Sequence, residues 1–145
     1  MTLAEYLASE QAREDVRLVV AKPHDVLRYS GNGGPWLERT TLKAWTRLGI
    51  EGADQYITAY YRPDGDRYVV TDLGEGVRTA CLRGLDLANA EHFERLNALG
   101  RTLDADFRQT APLGWIELRD ITAADLPDAI CRVMLASLKV SEVQP

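Results

Sequence analysis

Apolar and polar positions alternate with a period of two along two neighbouring stretches in the middle of the chain. Residues 56–61, YITAYY, and residues 68–71, YVVT, show this alternation, which is typical of β-strands. Residues 63–66, PDGD, lie between them, and proline and glycine favour a tight turn. We therefore predict a β-hairpin. A second hairpin is predicted over 102–121, around the sequence APLG at 111–114.

Apolar residues recur at helical spacing in the stretches that flank the hairpins. The sequence TLAE after Met1 has the pattern of a capping box and predicts a helix over 2–13. Gly84 is placed to end a helix that begins after the first hairpin, and Asn89 to begin the next one. The last helix is predicted to begin near Thr122 or Asp125. Its apolar stripe consists of Leu126, Ile130, Val133, Met134 and Leu138.

The remaining pattern predicts short strands and one loop. Residues 16–20 and 26–30 are strand candidates. The sequence GNGGP at 31–35 predicts a loop or hinge rather than a phosphate site, because it lacks the Lys-Ser/Thr pair of a phosphate loop. Residues 36–50 fit either a helix or a strand, and we favour a strand over 41–48.

The order of these elements is helix, strands, hairpin, helices, hairpin, helix. This order predicts an α+β fold, in which an antiparallel β-sheet has its helices packed on one face. A chain of 145 residues has room for one core, so residues 1–145 are predicted to form a single domain. The composition, 46% hydrophobic and 27% charged, is that of a globular protein.

The sequence argues against several locations and kinds of site. It has no apolar run near the roughly 20 residues of a membrane span, and its N-terminal stretch lacks the pattern of a secretory signal, so we expect a cytoplasmic protein. Cys81 and Cys131 are predicted to be reduced, small core residues. His24 and His92 have no cysteine or acid at ligand spacing, so neither a metal site nor another cofactor is predicted.

The negative charge is concentrated in the second part of the chain. The net charge is −5; residues 1–62 contain eight acidic and eight basic residues, whereas residues 63–145 contain fourteen and nine. A nucleic-acid surface needs clustered lysine and arginine, and the sequence shows no such cluster. Nucleic-acid binding is therefore disfavoured. We treat the acidic part as a candidate surface for a basic partner.

The sequence TDLGEG at 71–76 combines an aspartate with two glycines at the end of a predicted strand. The carboxylate of Asp72 can accept hydrogen bonds from the amides of Gly74 or Glu75, as in an Asx turn. Gly74 and Gly76 offer freedom to adopt a positive φ. A catalytic function would need a second group for acid–base or metal chemistry. We predict that Asp72, Gly74 and Gly76 form a structural turn and cap, and we predict no catalytic residue.

The region 54–84 resembles the core pattern of the domain-of-unknown-function 1828 family, which consists of small bacterial and phage proteins. The matching elements are, in order, Asp54, the strand at 56–61, the turn at Asp64-Gly65, the Thr-Asp-x-Gly step at 71–74 and the glycine that ends the helix, Gly84. The likeness extends to about residue 140, and the first 50 residues have no counterpart in it. The resemblance implies an α+β fold and a phage or mobile-element origin, and it implies no activity.

Aromatic residues concentrate around the first hairpin, where they either fill a core or anchor a partner. Alternation along the strand places Tyr56 and Tyr60 on one face and Tyr61 on the other. We predict a non-enzymatic protein-interaction module of phage or mobile-element origin that acts on a host protein complex as an inhibitor or adaptor. The candidate interface residues are Trp45, Tyr56, Tyr60, Tyr61 and Tyr68.

Two further functions stay open at this point. One is a secretion-chaperone-like homodimer that holds a segment of an effector; it ranks lower because the N-terminal apolar helix pattern of such chaperones is missing. The other is a small hydrolase or nuclease that uses Asp72 and Glu75. The identity of the protein partner and the oligomeric state are not determined by the sequence.

Overall fold

The computed structural model describes residues 1–20, 27–29, 36–40, 58–103, 106–110 and 113–145. These residues form five helices and a six-stranded antiparallel sheet on which the helices pack. The chain is thus a single α+β domain, which confirms the predicted fold class. The predicted loop at 31–35 and the predicted strand at 41–48 lie outside the described residues.

The N-terminal helix is shorter than predicted and is followed by a second one. Helix α1 (Leu3–Leu7) begins with the predicted capping box, in which the Thr2 hydroxyl accepts from the Glu5 amide and the Glu5 carboxylate accepts from the Thr2 amide. Helix α2 (Glu10–Val20) continues through the region predicted as a strand.

The strand prediction for residues 16–20 is wrong because the alternation there is too short to exclude a helix. Ala12 and Val16 lie one helical turn apart, and both are buried. Leu18 would share a strand face with Val16, yet it is 56% exposed whereas Val16 is 4% exposed. The pattern of burial is therefore helical.

All neighbouring strands of the sheet are antiparallel. The spatial order is β1-β2-β3-β4-β6-β5. The strands are β1 (Leu27–Tyr29), β2 (Trp36–Thr40), β3 (Thr58–Asp64), β4 (Arg67–Thr71), β5 (Asp106–Thr110) and β6 (Leu113–Ile121). Strand β1 confirms the predicted strand near 26–30, and β2 shows that the ambiguous segment begins as a strand.

The first hairpin, β3–β4, is confirmed, with its turn slightly later than predicted. Asp64 pairs with Arg67, and Gly65 and Asp66 form the two-residue turn between them. Gly65 has φ +66°, a value that glycine adopts without strain. Pro63 lies in β3 rather than in the turn.

Helices α3 (Glu75–Leu82) and α4 (Ala90–Gly100) follow the hairpin; α3 ends two residues before Gly84, and α4 begins directly after Asn89, as predicted. Gly84, with φ +110°, follows α3, and its amide donates to the Cys81 carbonyl. The Asn89 side chain caps α4 by accepting from the amides of Glu91 and His92.

The second hairpin, β5–β6, and the last helix, α5 (Leu126–Ser141), are also confirmed. Residues 111 and 112 of the predicted turn lie outside the described residues. Helix α5 packs on strands β3, β4 and β6 and contacts each of the other four helices. Its fully buried side chains, including Ile130, Val133 and Met134, make it the centre of the core.

The sheet has two chemically different faces. Ala59, Tyr61, Val70 and Ile116 are buried in the hydrophobic cluster that the sheet forms with the helices. The alternate positions define what we call the second face, because side chains alternate across a strand. It consists of Thr58, Tyr60, Arg62 and Asp64 on β3, Val69 and Thr71 on β4, and Trp115, Glu117 and Arg119 on β6.

Candidate functional site

The segment between β4 and α3 makes a sharp joint with two consecutive residues in the left-handed region. Leu73 has φ +52° and Gly74 has φ +81°. A positive φ is uncommon for a residue other than glycine, so the joint holds Leu73 in a conformation that costs free energy. A Cβ atom at Gly74 would lie 3.1 Å from the carbonyl oxygen of Gly114, and the joint therefore packs directly against β6.

Asp72 lies at the centre of this joint and has no exposed surface. One carboxylate oxygen, Oδ1, accepts from the amides of Gly74 (2.9 Å) and Ile116 (3.0 Å). The other, Oδ2, accepts from the Gly76 amide (3.1 Å) and the Ser137 hydroxyl (2.9 Å). Burial raises the pKa of Asp72, and the four hydrogen bonds oppose this rise. The carboxylate connects the joint, α3, β6 and α5.

Gly76 is required for a different reason from the one that the sequence suggests. Of the two glycines in the predicted turn, only Gly74 has a positive φ, whereas Gly76 lies within α3. A Cβ atom at Gly76 would lie 2.8 Å from the Ser137 carbonyl oxygen and 3.1 Å from Oδ2 of Asp72. The absence of a side chain lets α3 approach α5 and lets the Gly76 amide reach the carboxylate.

Thr71 attaches the end of β4 to β6 on the other side of Asp72. Its hydroxyl donates to the Ile116 carbonyl (2.7 Å) and accepts from the Leu73 amide (3.1 Å). The Asp72 amide donates to the same Ile116 carbonyl (3.3 Å). Threonine and aspartate thus fix two successive residues of the joint to one residue of the neighbouring strand.

The two acids of the hydrolase hypothesis point to different partners. Asp72 binds inward to three amides and Ser137, and it has no surface that a substrate could reach. Oε1 of Glu75 accepts from the Tyr60 hydroxyl at 2.7 Å and lies 3.7 Å from the Arg78 guanidinium. Within the described part of the chain, no three His, Cys, Asp or Glu side chains come together as a metal site would require.

The tyrosines of the candidate interface divide between the two faces of the sheet. Tyr61 is only 3% exposed and belongs to the core, where its ring lies 6.3 Å from that of Tyr68. Tyr68 is half-buried against the same core. Tyr60 lies on the second face. Trp45 and Tyr56 lie outside the described residues, so the structure gives no position for them.

The second face carries functional candidates that the sequence patterns do not single out. Trp115 and Arg62 are half-buried, and Arg119 is exposed. Glu117 is 5% exposed, and its carboxylate oxygens accept from the Arg119 guanidinium at 3.1 and 3.2 Å. Alternation along β6 predicts that Trp115 shares a face with Glu117 and Arg119, but the face can be chosen only when the packing of α5 is known.

Ser137, the partner of Asp72, is not predicted from the sequence, although its position carries a signal. It lies four and seven residues after Val133 and Ile130, within the apolar stripe of α5, and it is 5% exposed. A serine in such a stripe needs a buried hydrogen-bond partner, although nothing local in the sequence says that Asp72 provides it.

Comparison of the chain with family models, curated proteins and solved structures gives no match. The resemblance to the domain-of-unknown-function 1828 family therefore stays a prediction. Among the helices in the described ranges, none has both the length and the apolar character for crossing a membrane.

Proposed function

We propose that this protein is a non-enzymatic interaction module and that the second face of its sheet contacts a protein partner. The proposal is supported by the arrangement of Tyr60, Arg62, Trp115 and Arg119 on the face opposite the helix-packed core. Tyrosine, tryptophan and arginine contribute most of the binding energy in typical interfaces.

The second face has a closed position at Val69 and larger, partly exposed side chains beyond it. Val69 has no exposed surface, yet it lies outside the hydrophobic cluster that the helices form with the sheet. Thr71 beside it is 2% exposed, whereas Tyr60 and Trp115 are half-buried. Tyr60 and Trp115, rather than Val69, are therefore the side chains of this face that a partner would cover further.

At one end of the sheet three exposed aspartates outnumber the two exposed arginines beside them, Arg67 and Arg119, and we propose a basic partner for this end. Asp64 and Asp66 at the tip of the first hairpin are exposed, and so is Asp120 at the end of β6. The pairing of Tyr68 with Ile121 places Asp120 next to the start of β4. An acidic end would attract a basic surface and increase the association rate at low salt. We include in the proposal that the partner belongs to a host complex and that the gene is of phage or mobile-element origin.

The closed state of Asp72 supports binding over hydrolysis. A general acid or a metal-binding carboxylate must reach the substrate or the ion, and this carboxylate is enclosed by four hydrogen bonds. Its contribution is to hold the strand–helix joint. The hydrolase hypothesis would therefore depend on Glu75, whose oxygen is held by Tyr60.

The test begins with affinity capture of a partner from the native host, followed by calorimetry with the purified pair. We expect Trp115→Ala and Arg119→Ala to weaken binding about tenfold or more, which corresponds to about 1.4 kcal/mol. Leu82→Ala and Arg17→Ala, at exposed helix positions, are the matched controls and should change the affinity less than about twofold.

Two further measurements complete the test of the proposed interface. The affinity should fall between about 0.05 M and about 0.5 M salt if the acidic end meets a basic surface. Thermal unfolding of every variant checks that lost binding is not lost folding. Equal weakening by the helix variants, or normal binding by both second-face variants, would reject the second face as the interface.

A further inference from the structure

We propose that a small cavity between α5 and the turn after α4 binds a short aliphatic carboxylate. The cavity has a volume of about 60 Å³, and its rim includes two exposed residues, Thr102 and Lys139. It is lined by Thr102, Leu103, Arg132, Leu135, Ala136 and Lys139. None of these residues belongs to the second face of the sheet, so the inference does not rest on the proposed binding function.

Four of the lining residues form a single stripe on α5. Arg132, Leu135, Ala136 and Lys139 occupy positions i, i+3, i+4 and i+7, which lie on the same side of a helix. The two cations stand at the ends of this stripe, about 10 Å apart along the helix axis, and the apolar residues lie between them. Arginine and lysine have long side chains with a charged tip, so both cations can reach one anionic group placed over the apolar middle.

The turn after α4 supplies the opposite wall of the cavity. Leu103 and Leu135 are half-buried against the core, and Ala136 is 4% exposed. The hydroxyl and the amide of Thr102 both donate to the Leu99 carbonyl, at 2.7 and 2.9 Å. Thr102 thus uses its donors within the turn, and the attraction for an anion comes from the two side-chain cations.

The charge at the cavity is opposite to that of the chain as a whole. The net charge is −5, yet the described residues that line the cavity include two cations and no acid. Asp128, one turn before Arg132, accepts from the Arg13 guanidinium at 2.6 Å. A guanidinium carries five N–H donors in a fork that matches a carboxylate, so Arg132 can hold an anion in addition to another partner.

The size and the apolar wall of the cavity select the class of anion. A volume of about 60 Å³ holds several water-sized groups, which is room for a carboxyl group with about three carbons behind it. Phosphate would place oxygen atoms against Leu103 and Leu135, whereas an alkyl chain would bury this apolar surface. The ligand is therefore an aliphatic acid of about the size of butyrate, with its carboxylate between the two cations and its chain against the leucines.

NMR titration of the nitrogen-15-labelled protein with sodium butyrate tests the proposal. We expect saturable amide shifts at Leu103, Leu135 and Lys139 with a Kd of about 1 mM, and no such shifts with sodium chloride at equal ionic strength. Butyrate should bind at least about threefold more tightly than acetate or inorganic phosphate, because only butyrate covers the apolar wall. Shifts that are absent or do not saturate, or equal binding of the three anions, would overturn the proposal.

Substitution of the exposed cation distinguishes the cavity from general attraction between ions. Lys139→Gln should weaken butyrate binding about fivefold or more, and Lys139→Arg should retain it. Arg17→Gln removes an exposed cation from α2 and is the matched control; it should keep the affinity within about twofold. Thermal unfolding checks that each variant is folded. Undiminished binding by Lys139→Gln, or equal weakening by Arg17→Gln, would show that butyrate does not bind in this cavity.

Discussion

A Cβ atom at Gly76 would lie 2.8 Å from the carbonyl oxygen of Ser137, so α3 and α5 meet at this point without a side chain between them. The same Cβ atom would lie 2.9 Å from Oγ of Ser137. These contacts are closer than ordinary packing allows for a methyl group. The approach of the two helices also brings the Gly76 amide and the Ser137 hydroxyl to one oxygen of Asp72.

Gly76→Ala should therefore destabilise the protein, although the same change within an exposed helix is usually stabilising. We expect a loss of about 1–3 kcal/mol, because the methyl group would separate α3 from α5. Chemical denaturation measures this loss directly. Leu82→Ala on the same helix is the control; Leu82 is 82% exposed, and its change should stay within about 0.5 kcal/mol. A more stable Gly76→Ala protein would show that the helices can part at no cost.

Asp72→Ala should leave three buried amides and the Ser137 hydroxyl without their acceptor. We expect a loss of at least about 3 kcal/mol, since each unsatisfied buried donor costs about 1–3 kcal/mol. Formate has the size and charge of the missing group, so it should raise the unfolding temperature of this variant. Chloride at equal ionic strength is the control salt, and the wild type is the control protein. A variant that responds equally to both salts would indicate that the four donors do not form a carboxylate site.

Tyr60 and Tyr61 should respond differently to substitution although they are neighbours in sequence. Tyr61→Ala removes a core ring and should cost about 3–5 kcal/mol, as for other large aromatic residues in a core. Tyr60→Phe removes only the hydroxyl that donates to Glu75 and should cost about 0.5–1.5 kcal/mol. Urea denaturation of both variants tests this order. Equal losses would mean that the hydrogen bond from Tyr60 to Glu75 stabilises the fold as much as the core ring of Tyr61 does.

The two cysteines should react with a thiol reagent at different rates in the native protein. Cys81 is half-buried, whereas Cys131 is 1% exposed, and burial raises the pKa of Cys131 to about 12. The thiolate is the reactive form, so Cys131 should react only after unfolding. Mass spectrometry of peptides after timed labelling distinguishes the two sites. Labelling of Cys131 first would contradict the packing of α5 described above.

Cys131 should also make the protein less stable in alkali. Its pKa is about 12 in the folded state, against an ordinary value of 9.0, so above pH 9.0 the unfolded chain loses a proton that the native chain keeps. Stability then falls with rising pH, by up to about 1.4 kcal/mol per pH unit. Cys131→Ala should show a shallower decline between these values. Parallel declines in the two proteins would mean that other groups cause the loss.

The hairpins and helix ends are predictable from sequence because the signals for them are local. The β3–β4 hairpin follows from alternation around Gly65. The C-terminus of α3 follows from Gly84, and the N-terminus of α4 follows from Asn89. The error at residues 16–20 has the same origin. Five residues that alternate also fit a helix when residues one turn earlier, such as Ala12, pack against the core.

The chemistry of the joint is only partly predictable, because its contacts are distant in sequence. A hydrogen bond from the Gly74 amide to Asp72 is expected from the spacing alone. The bonds from Ile116 and Ser137 span 44 and 65 positions, and no pattern near Asp72 indicates them. The need for glycine at position 76 likewise depends on α5. Which tyrosine belongs to the core also depends on the face that α5 covers.

The central place of α5 has a consequence for the synthesis of the chain. This helix touches every other described helix and three strands, yet residues 126–141 emerge from the ribosome after all of those elements. Until then, the apolar faces of α1 and α2 have no core to join. The packing of α1 and α2 on α5 can therefore form only after this last helix has been made.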